Sequence, residues 1–395
     1  MNVLYIVCLS VAVLLFVLLY ILRWRDYTLV RKFGCAQDDC QNLPGVSIVI
    51  PAHNQAPQLE ENLPKFVSQN YKTFEVIVVD IHSSDETAEV VKRLENINVP
   101  VRIVKLPVSS RYIGKNRLAM SLGIRAAHFP WVLFTQPDCC PAGNDWLTAI
   151  AKEFAEDKNL VIGMATYEDR MGIRGRLAVY EYLRGMFSNL RALKRGKAID
   201  ADIRNFAIRK SFYLNAHPLS EKLYVPFGEA PLMADSFGLA GQTAFAANAD
   251  AAVFQMVPHR RMFPSLRMYR AEVNRHKSFR AYLYRLREAM ATWCLFLFIA
   301  VVALFSTVRV LDSMNGGYKV DFLAYDIPML LLLMLAIILP LLLMRKACRF
   351  LNIRSFGMLP LWFDMTQPLR NMASKARRWY HRHDFVRPII PSTDL

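Results

Sequence analysis

Three long stretches without a charged residue, 3–22, 289–308 and 327–344, limit what this chain can fold into. At 1.5 Å per residue, a helix of such a length covers ~30 Å, the hydrocarbon thickness of a bilayer. A cleaved leader would also begin with an apolar run. No lysine or arginine precedes this one, however, and Leu19, Tyr20, Ile21 and Leu22 offer no small residues for cleavage, so an uncleaved anchor is expected. Pro328 and Pro340 fall in the third run, where neighbouring helices can re-satisfy the backbone groups they free.

The flanks of the runs give an orientation. Arg23, Arg25, Arg31 and Lys32 follow the first run, and Arg345, Lys346 and Arg349 follow the third. Between the second and third, Lys319 stands against Asp312, Asp321 and Asp326. All three flanks agree with an outer N-terminus, a cytosolic region from ~23 to ~288, a short outer loop and a cytosolic tail. The net charge is 49 − 33 = +16, and the tail from Arg345 onward holds ten basic and three acidic residues. With no nucleic-acid readout motif in the chain, anionic headgroups are the expected partner of this charge. The tail segment 356–379, with Leu359, Leu361, Trp362, Phe363 and Leu369 among arginines, is expected to lie along the membrane as an interfacial helix. Seven cysteines, odd in number and without a CxxC pair, offer neither a zinc site nor a disulfide framework; Cys35 and Cys40, the nearest to a pair, are read as inert.

Between the anchors, short apolar runs alternate with helical patterns. Val46-Ser47-Ile48-Val49-Ile50-Pro51, Phe74-Glu75-Val76-Ile77-Val78-Val79-Asp80, Val101-Arg102-Ile103-Val104 and Trp131-Val132-Leu133-Phe134 read as strands. Residues 58–70, 86–94 and 115–127 read as the intervening helices. Nearly continuous apolar strands separated by helices predict an α/β fold with a parallel sheet covered on both faces. Ligands of such sheets sit beyond the carboxyl ends of the strands. The residues to inspect are thus Pro51, Ala52, His53 and Asn54, then Asp80, Ile81, His82 and Ser83, then Thr135, Gln136, Pro137 and Asp138.

The first two blocks, with Gln69-Asn70-Tyr71 between them, then Gly114-Lys115-Asn116-Arg117-Leu118-Ala119 and Arg204-Asn205-Phe206-Ala207-Ile208-Arg209-Lys210-Ser211, resemble the family-two glycosyltransferases of GT-A fold over residues ~45–290. The trailing apolar runs are similar to those of membrane-anchored members. The resemblance implies an anchor (1–23), a linker (24–44), a GT-A domain (45–285), membrane helices at 289–308 and 327–344, and a basic tail (345–395). Within the domain it implies a nucleotide-binding half (45–141) and an acceptor half (142–285). It further implies inverting transfer from a nucleotide-sugar donor to a lipid-linked or cell-envelope glycan acceptor at the cytosolic membrane face. Pro51, Ala52, His53, Asn54, Asp80 and Lys115 would serve the nucleotide. Asp80 has capping of the following turn as its other role, and Lys115 that of a solvated helix-start cation.

Three acids of the family pattern are replaced. The Asp-x-Asp metal motif is Gln136-Pro137-Asp138 here, which leaves Asp138, with the weaker oxygen of Gln136, to hold Mg2+ or Mn2+ beside the diphosphate. The Asp-Asp-Gly-Ser turn is Asp80-Ile81-His82-Ser83, in which His82 either faces the diphosphate or is an exposed turn residue. The Glu-Asp motif is Glu229-Ala230, so Glu229 is the expected general base, ahead of Asp235. Tyr269, Asn274, Arg275 and His276 resemble the segment before the first trailing helix. Arg275 and His276 either contact acceptor or diphosphate or belong to a basic membrane-surface helix. The absence of a tryptophan there, and only two following helices, disfavour a processive polymer synthase. The alternative reading is a catalytically decayed paralogue acting as a membrane-bound binding or scaffold partner.

Overall fold

The computed structural model describes residues 2–30, 43–96, 99–107, 115–168, 172–216, 225, 228–256, 262–314 and 322–381. The chain divides into two units, Met1–Val30 with Tyr282–Met372, and Arg31–Ala281 with Ala373–Leu395. Arg31, Lys32, Cys35, Cys40, Gly114, Lys319 and Asp321 lie outside the described residues, as does the side chain of Asp312.

The larger unit is built on strands β1 (Val46–Ala52), β2 (Phe74–Asp80), β3 (Val101–Lys105), β4 (Trp131–Phe134), β5 (Cys139–Pro141), β6 (Leu160–Gly163), β7 (Ala165–Tyr167), β8 (Phe206–Arg209), β9 (Thr243–Ala246) and β10 (Val253–Gln255). One sheet has the order β3-β2-β1-β4-β8-β6-β9, and a smaller one β5-β10-β7. The first four strands are parallel, as the alternation predicts. One strand breaks the pattern: β8 runs antiparallel to both β4 and β6, while β6 and β9 pair parallel and run with the first four. The strand–helix alternation ends at Phe134, and beyond it nothing local fixes strand direction.

Helices α1 (Asn2–Leu22), α2 (Ala56–Val67), α3 (Thr87–Glu95), α4 (Lys115–Ala126), α5 (Trp146–Ala151), α6 (Ile173–Lys194), α7 (Lys210–Ala216), α8 (Glu229–Phe237) and α9 (Phe263–Val273) come before the long helix α10 (Phe279–Met314). Ile48, Ile50, Val76 and Val78 point from one face of the sheet into a core with Leu63 and Phe66 of α2, Val90 of α3 and Trp146 of α5. The Phe66 and Trp146 rings meet edge to face at 5.4 Å. Val49 and Val79 point the other way, where α4 approaches so closely that a Cβ on Gly123 would lie 2.4 Å from Val49 Cγ1. Burial on both faces is why these strands lack polar alternation. At the amino ends of the strands, away from the tips, Glu75 accepts hydrogen bonds from Ser47 Oγ (2.6 Å), His128 N (2.7 Å), His128 Nδ1 (2.9 Å) and Arg102 Nε (3.1 Å). Burial pushes its carboxyl up, but these donors outweigh that and hold it below the ordinary value.

The smaller unit contains α1, most of α10, α11 (Phe322–Phe350), α12 (Leu359–Met365) and the start of α13 (Gln367–Tyr380). Among the described residues, three helices are long and apolar enough to cross a membrane: Val3–Thr28, Phe279–Leu311 and Tyr325–Phe350. All extend beyond the uncharged runs, and charged residues near both ends of the spans pair with one another. At one end Arg309 pairs with Asp326 and stands 5.5 Å from the centre of the Tyr5 ring. At the other, Arg23 pairs with Asp364, and Arg287 pairs with Asp26 (2.6 Å) and Glu288 (3.0 Å).

Candidate active site

The order β3-β2-β1-β4 reverses at β1, so its tip is the topological switch point, where an open α/β sheet has its crevice. Ala52 pairs with Asp80 in the register of β1 and β2, and Thr135 N continues the ladder to Val49 O at 3.2 Å. The tips of β2 and β4 are therefore two strand spacings apart, ~10 Å. Past β1 the chain turns sharply: Asn54 is left-handed at φ 50°, and its side chain accepts from Ser84 N at 2.8 Å while its N–H donates to Ser83 Oγ at 3.0 Å. His53 Nδ1 meets Ile81 O at 2.6 Å; a carbonyl only accepts, so Nδ1 carries the proton. Asp80 is buried, and its Oδ1 accepts from Ser83 N at 2.9 Å. Asp80 thus caps its own turn, and His53 and Asn54 fasten the second tip to the first. His82, where the family motif has glycine, keeps a left-handed backbone at φ 54°. Lys115 is the first residue of α4, next to the undescribed stretch 108–114.

On the other side of β1, Cys139 N donates to Gln136 O at 3.1 Å and closes the turn that presents Asp138. Asp138 Oδ2 accepts from Gln255 Nε2 at 2.5 Å. Gln255 Oε1 in turn accepts from Arg204 Nη1 at 2.6 Å, and Arg204 forks onto Asp202, with Nε to Oδ1 at 2.8 Å. The Arg204 guanidinium also lies 4.9 Å from the centre of the Tyr167 ring. Burial pushes Asp202 up, but Arg204 outweighs it and holds the carboxyl below its usual range. The neighbouring Cys139 thiol is pushed well up by burial and by the Asp138 charge, so it stays protonated and inert. Among the described residues no group of three or more His, Cys, Asp or Glu is placed to hold a metal. The donor set is one carboxylate with an amide beside it. This fits Mg2+ or Mn2+ only where a diphosphate and water complete the shell.

Glu229 opens α8 behind Gly228, whose φ of 87° and close approach to Val273 (a Cβ would lie 2.6 Å from Cγ2) exclude a larger residue. The Glu229 side chain is buried, and its Oε1 has no hydrogen-bond partner among the described residues. Burial raises its pKa, against the pull of its own backbone N–H, the Arg117 guanidinium and the Gly228 N–H. It lines a cavity of ≈ 220 Å³ together with Tyr182, Asn189, Asp202, Arg270 and Lys277. Other acids of that wall are paired: Asp200 with Lys277 at 2.9 Å, Glu181 with Arg267 at 2.7 Å.

Ala230 is fully buried. Asp235 accepts from Ser278 N (2.6 Å) and Oγ (2.7 Å), which ties α8 to the start of α10. Arg275 and His276 both turn to Glu272, at 3.3 and 3.2 Å, and Arg378 reaches the same carboxylate at 3.5 Å.

Apart from Lys115 and the Arg275–His276 pair on Glu272, the sequence-derived site residues therefore form three groups. Pro51, Ala52, His53, Asn54 and Asp80 come together at two adjoining tips, Gln136 and Asp138 at the third, and Glu229 in a cavity that neither Asp80 nor Asp138 lines. The link between the last two groups, Asp202-Arg204-Gln255, escaped sequence reasoning. Arg204 stood in a recognised motif, but Gln255 carried no signal.

Residues 47–214 match the sequence model of the glycosyl transferase family 2. Among curated proteins, the poly-beta-1,6-N-acetyl-D-glucosamine synthase of Staphylococcus epidermidis is 24% identical over 169 residues, 42% of this chain and 39% of that protein. The same synthase from Staphylococcus aureus (strain COL) is 25% identical over 165 residues, 41% and 38% of the two chains. The match thus spans about two fifths of the length of these relatives. Among solved structures, a mannosyltransferase from Pyrobaculum calidifontis in complex with GDP-Man and Mn2+ superposes with a TM-score of 0.57 at 16% identity. The superposition covers 96% of this chain and 99% of that one, and the fold is that of the GT-A glycosyltransferases.

Proposed function

We propose that this chain, whose residues 47–214 form a glycosyl transferase family 2 domain, moves a sugar from a nucleotide-diphosphate donor to a lipid-linked or cell-envelope glycan acceptor, with inversion. The observation that carries the reading is the pair of carboxylates, Asp80 and Asp138, at strand tips on either side of the switch point. The name of the curated synthases supports a glycan acceptor, and the GDP-Man and Mn2+ of the mannosyltransferase support a nucleotide sugar with a divalent ion. The charges flanking the apolar runs support a cytosolic catalytic unit.

In this mechanism Asp80 accepts from the ribose or base, on a platform formed by Pro51, Ala52, His53 and Asn54. Lys115 meets phosphate charge from the start of α4. Asp138, with Gln136, would hold Mg2+ or Mn2+ jointly with the diphosphate; a bound ion neutralises the charge that grows on the leaving phosphate. Glu229 takes the proton of the acceptor hydroxyl. The acceptor oxygen forms its bond to the anomeric carbon from the face opposite the phosphate. The carbon–oxygen bond to the diphosphate breaks, and its electron pair leaves with the nucleoside diphosphate. Arg275 and His276, gathered on Glu272, would serve the acceptor and diphosphate side.

A second reading, a decayed paralogue that binds donor without turnover and partners an active enzyme, is favoured by two observations. The cavity of Glu229 is not lined by Asp80 or Asp138, and Ala230 brings no acid. Calorimetric titration of the full chain with a panel of nucleotide sugars, with and without Mn2+, separates the readings when paired with hydrolysis and transfer assays. Turnover that Glu229→Gln reduces by about 10²–10⁴-fold supports the enzyme. Donor binding without turnover across the panel, with activity appearing in Gln136→Asp/Ala230→Asp, supports the decayed paralogue. Absence of donor binding overturns both.

A further inference from the structure

Helix α13 is amphipathic the wrong way round for a helix on a soluble surface. At 100° per residue, Leu369, Met372, Ala373, Ala376, Trp379 and Tyr380 share one arc of about 120°, and its basic residues fall outside that arc. A soluble protein turns such an arc inward. Here it faces out: Leu369 is 68% exposed, Met372 67%, Trp379 67% and Tyr380 75%. The half-buried stripe is the polar one, Gln367, Arg370, Ser374 and Arg378, spaced i, i+3, i+7, i+11. Gln367 Oε1 accepts from Thr292 Oγ1 at 3.3 Å, Arg370 Nη2 donates to Phe363 O at 2.7 Å, and Arg378 pairs with Glu272 at 3.5 Å.

Lys375 and Arg377, both exposed, border the apolar arc on its two sides. Cations in those positions can snorkel to headgroups while the arc sinks into acyl chains. Chain continuity places the same solvent nearby. Helix α11, long and apolar enough to span a bilayer, ends at Phe350, nine residues before α12 begins at Leu359, and α12 itself exposes Trp362. A second copy of the chain is a poorer occupant, because a two-fold pairing of this arc would set its bordering cations against each other.

We infer that α13 lies in the plane of the bilayer surface with its outward apolar arc among acyl chains and Lys375 and Arg377 on anionic headgroups. The polar side of the helix is then the side that holds protein. Through Arg378 and Glu272 it is fastened to the last turn of α9, whose Arg270 and Val273 line the cavity of Glu229. This goes beyond the proposed reaction and is tested without it.

The test uses the full chain in nanodiscs of phosphatidylcholine, with and without phosphatidylglycerol, containing lipids brominated either near the headgroup or near the chain end. The emission difference between wild type and Trp379→Phe isolates Trp379. Quenching of that component by the shallow bromines, but not by the deep ones, and stronger with phosphatidylglycerol, is expected. Leu369→Glu/Met372→Glu should abolish it while Trp293, in the spanning helix α10, remains quenched. Lys375→Gln/Arg377→Gln should remove its dependence on phosphatidylglycerol. A Trp379 component unquenched in every mixture overturns the inference. So does shielding of Trp379 that grows with the number of chains per disc, since that identifies a second copy as the occupant.

Discussion

His82 holds a left-handed backbone that glycine adopts without a Cβ penalty. It either serves the diphosphate or merely completes the turn, and one substitution separates the two roles. His82→Gly is expected to leave stability unchanged or raise it by up to ~1 kcal/mol, read from thermal unfolding in detergent. If the ring meets the diphosphate, donor affinity falls in the same variant; if not, affinity is kept. Glu229 sets a second expectation. A buried carboxyl with a raised pKa loses its proton only above the ordinary carboxylate range, so a reaction that needs it as base gains rate as pH rises through that higher value. The pH–rate profile should show this rising limb. Glu229→Asp should retain a limb with altered midpoint, and Glu229→Gln should lose it with most of the rate.

Close packing of elements explains which substitutions the scaffold rejects. A Cβ on Gly163, the last residue of β6, would lie 2.4 Å from Asn205 Cγ. Asn205 is fully buried, and its Nδ2 donates to Met164 O (2.8 Å) and Ala251 O (2.7 Å). Gly163→Ala is therefore expected to cost about 1–3 kcal/mol through overpacking and the loss of one or both bonds, measurable as a lower melting temperature. The legibility of the sequence changes before that contact, at Phe134. Strands β1 to β4 and helices α2 to α4 lie within about three residues of the boundaries that periodicity predicts, since long apolar runs and 3.6-residue patterns report burial directly. Beyond Phe134 the strands have three or four residues, too short for a period, and the antiparallel β8 is joined to its neighbours by contacts distant in sequence. The site divides likewise. The tie between the tips of β1 and β2 arises from residues about 30 apart that stand in readable turns. Gln255, which orients Asp138, is 117 positions away on a three-residue strand.

Taken whole, the chain joins a sheet-based unit, stabilised by an apolar core, to a helical unit with charged pairs at both ends of its spans. Buried ion pairs are weak contributors as pairs and costly to break singly. Arg23 and Asp364 are such a pair, so Arg23→Met or Asp364→Leu alone is expected to cost about 3–5 kcal/mol, whereas the double substitution should recover most of that loss in a double-mutant cycle of unfolding in detergent. The spacing of the two charged ends also selects a host membrane. Tyr5 and Arg23 are 18 residues apart along α1, ~27 Å at helical rise, and Arg287 and Arg309 are 22 apart along α10, ~33 Å. These lengths bracket an ordinary hydrocarbon layer, so fatty-acyl length becomes a determinant of behaviour. Reconstituted into phospholipids of graded tail length, the protein should melt highest with tails of intermediate length. In very short tails Arg309 and Asp326 would be left proud of the lipid, and in very long ones they would be drowned in it, so its melting point should fall in both directions.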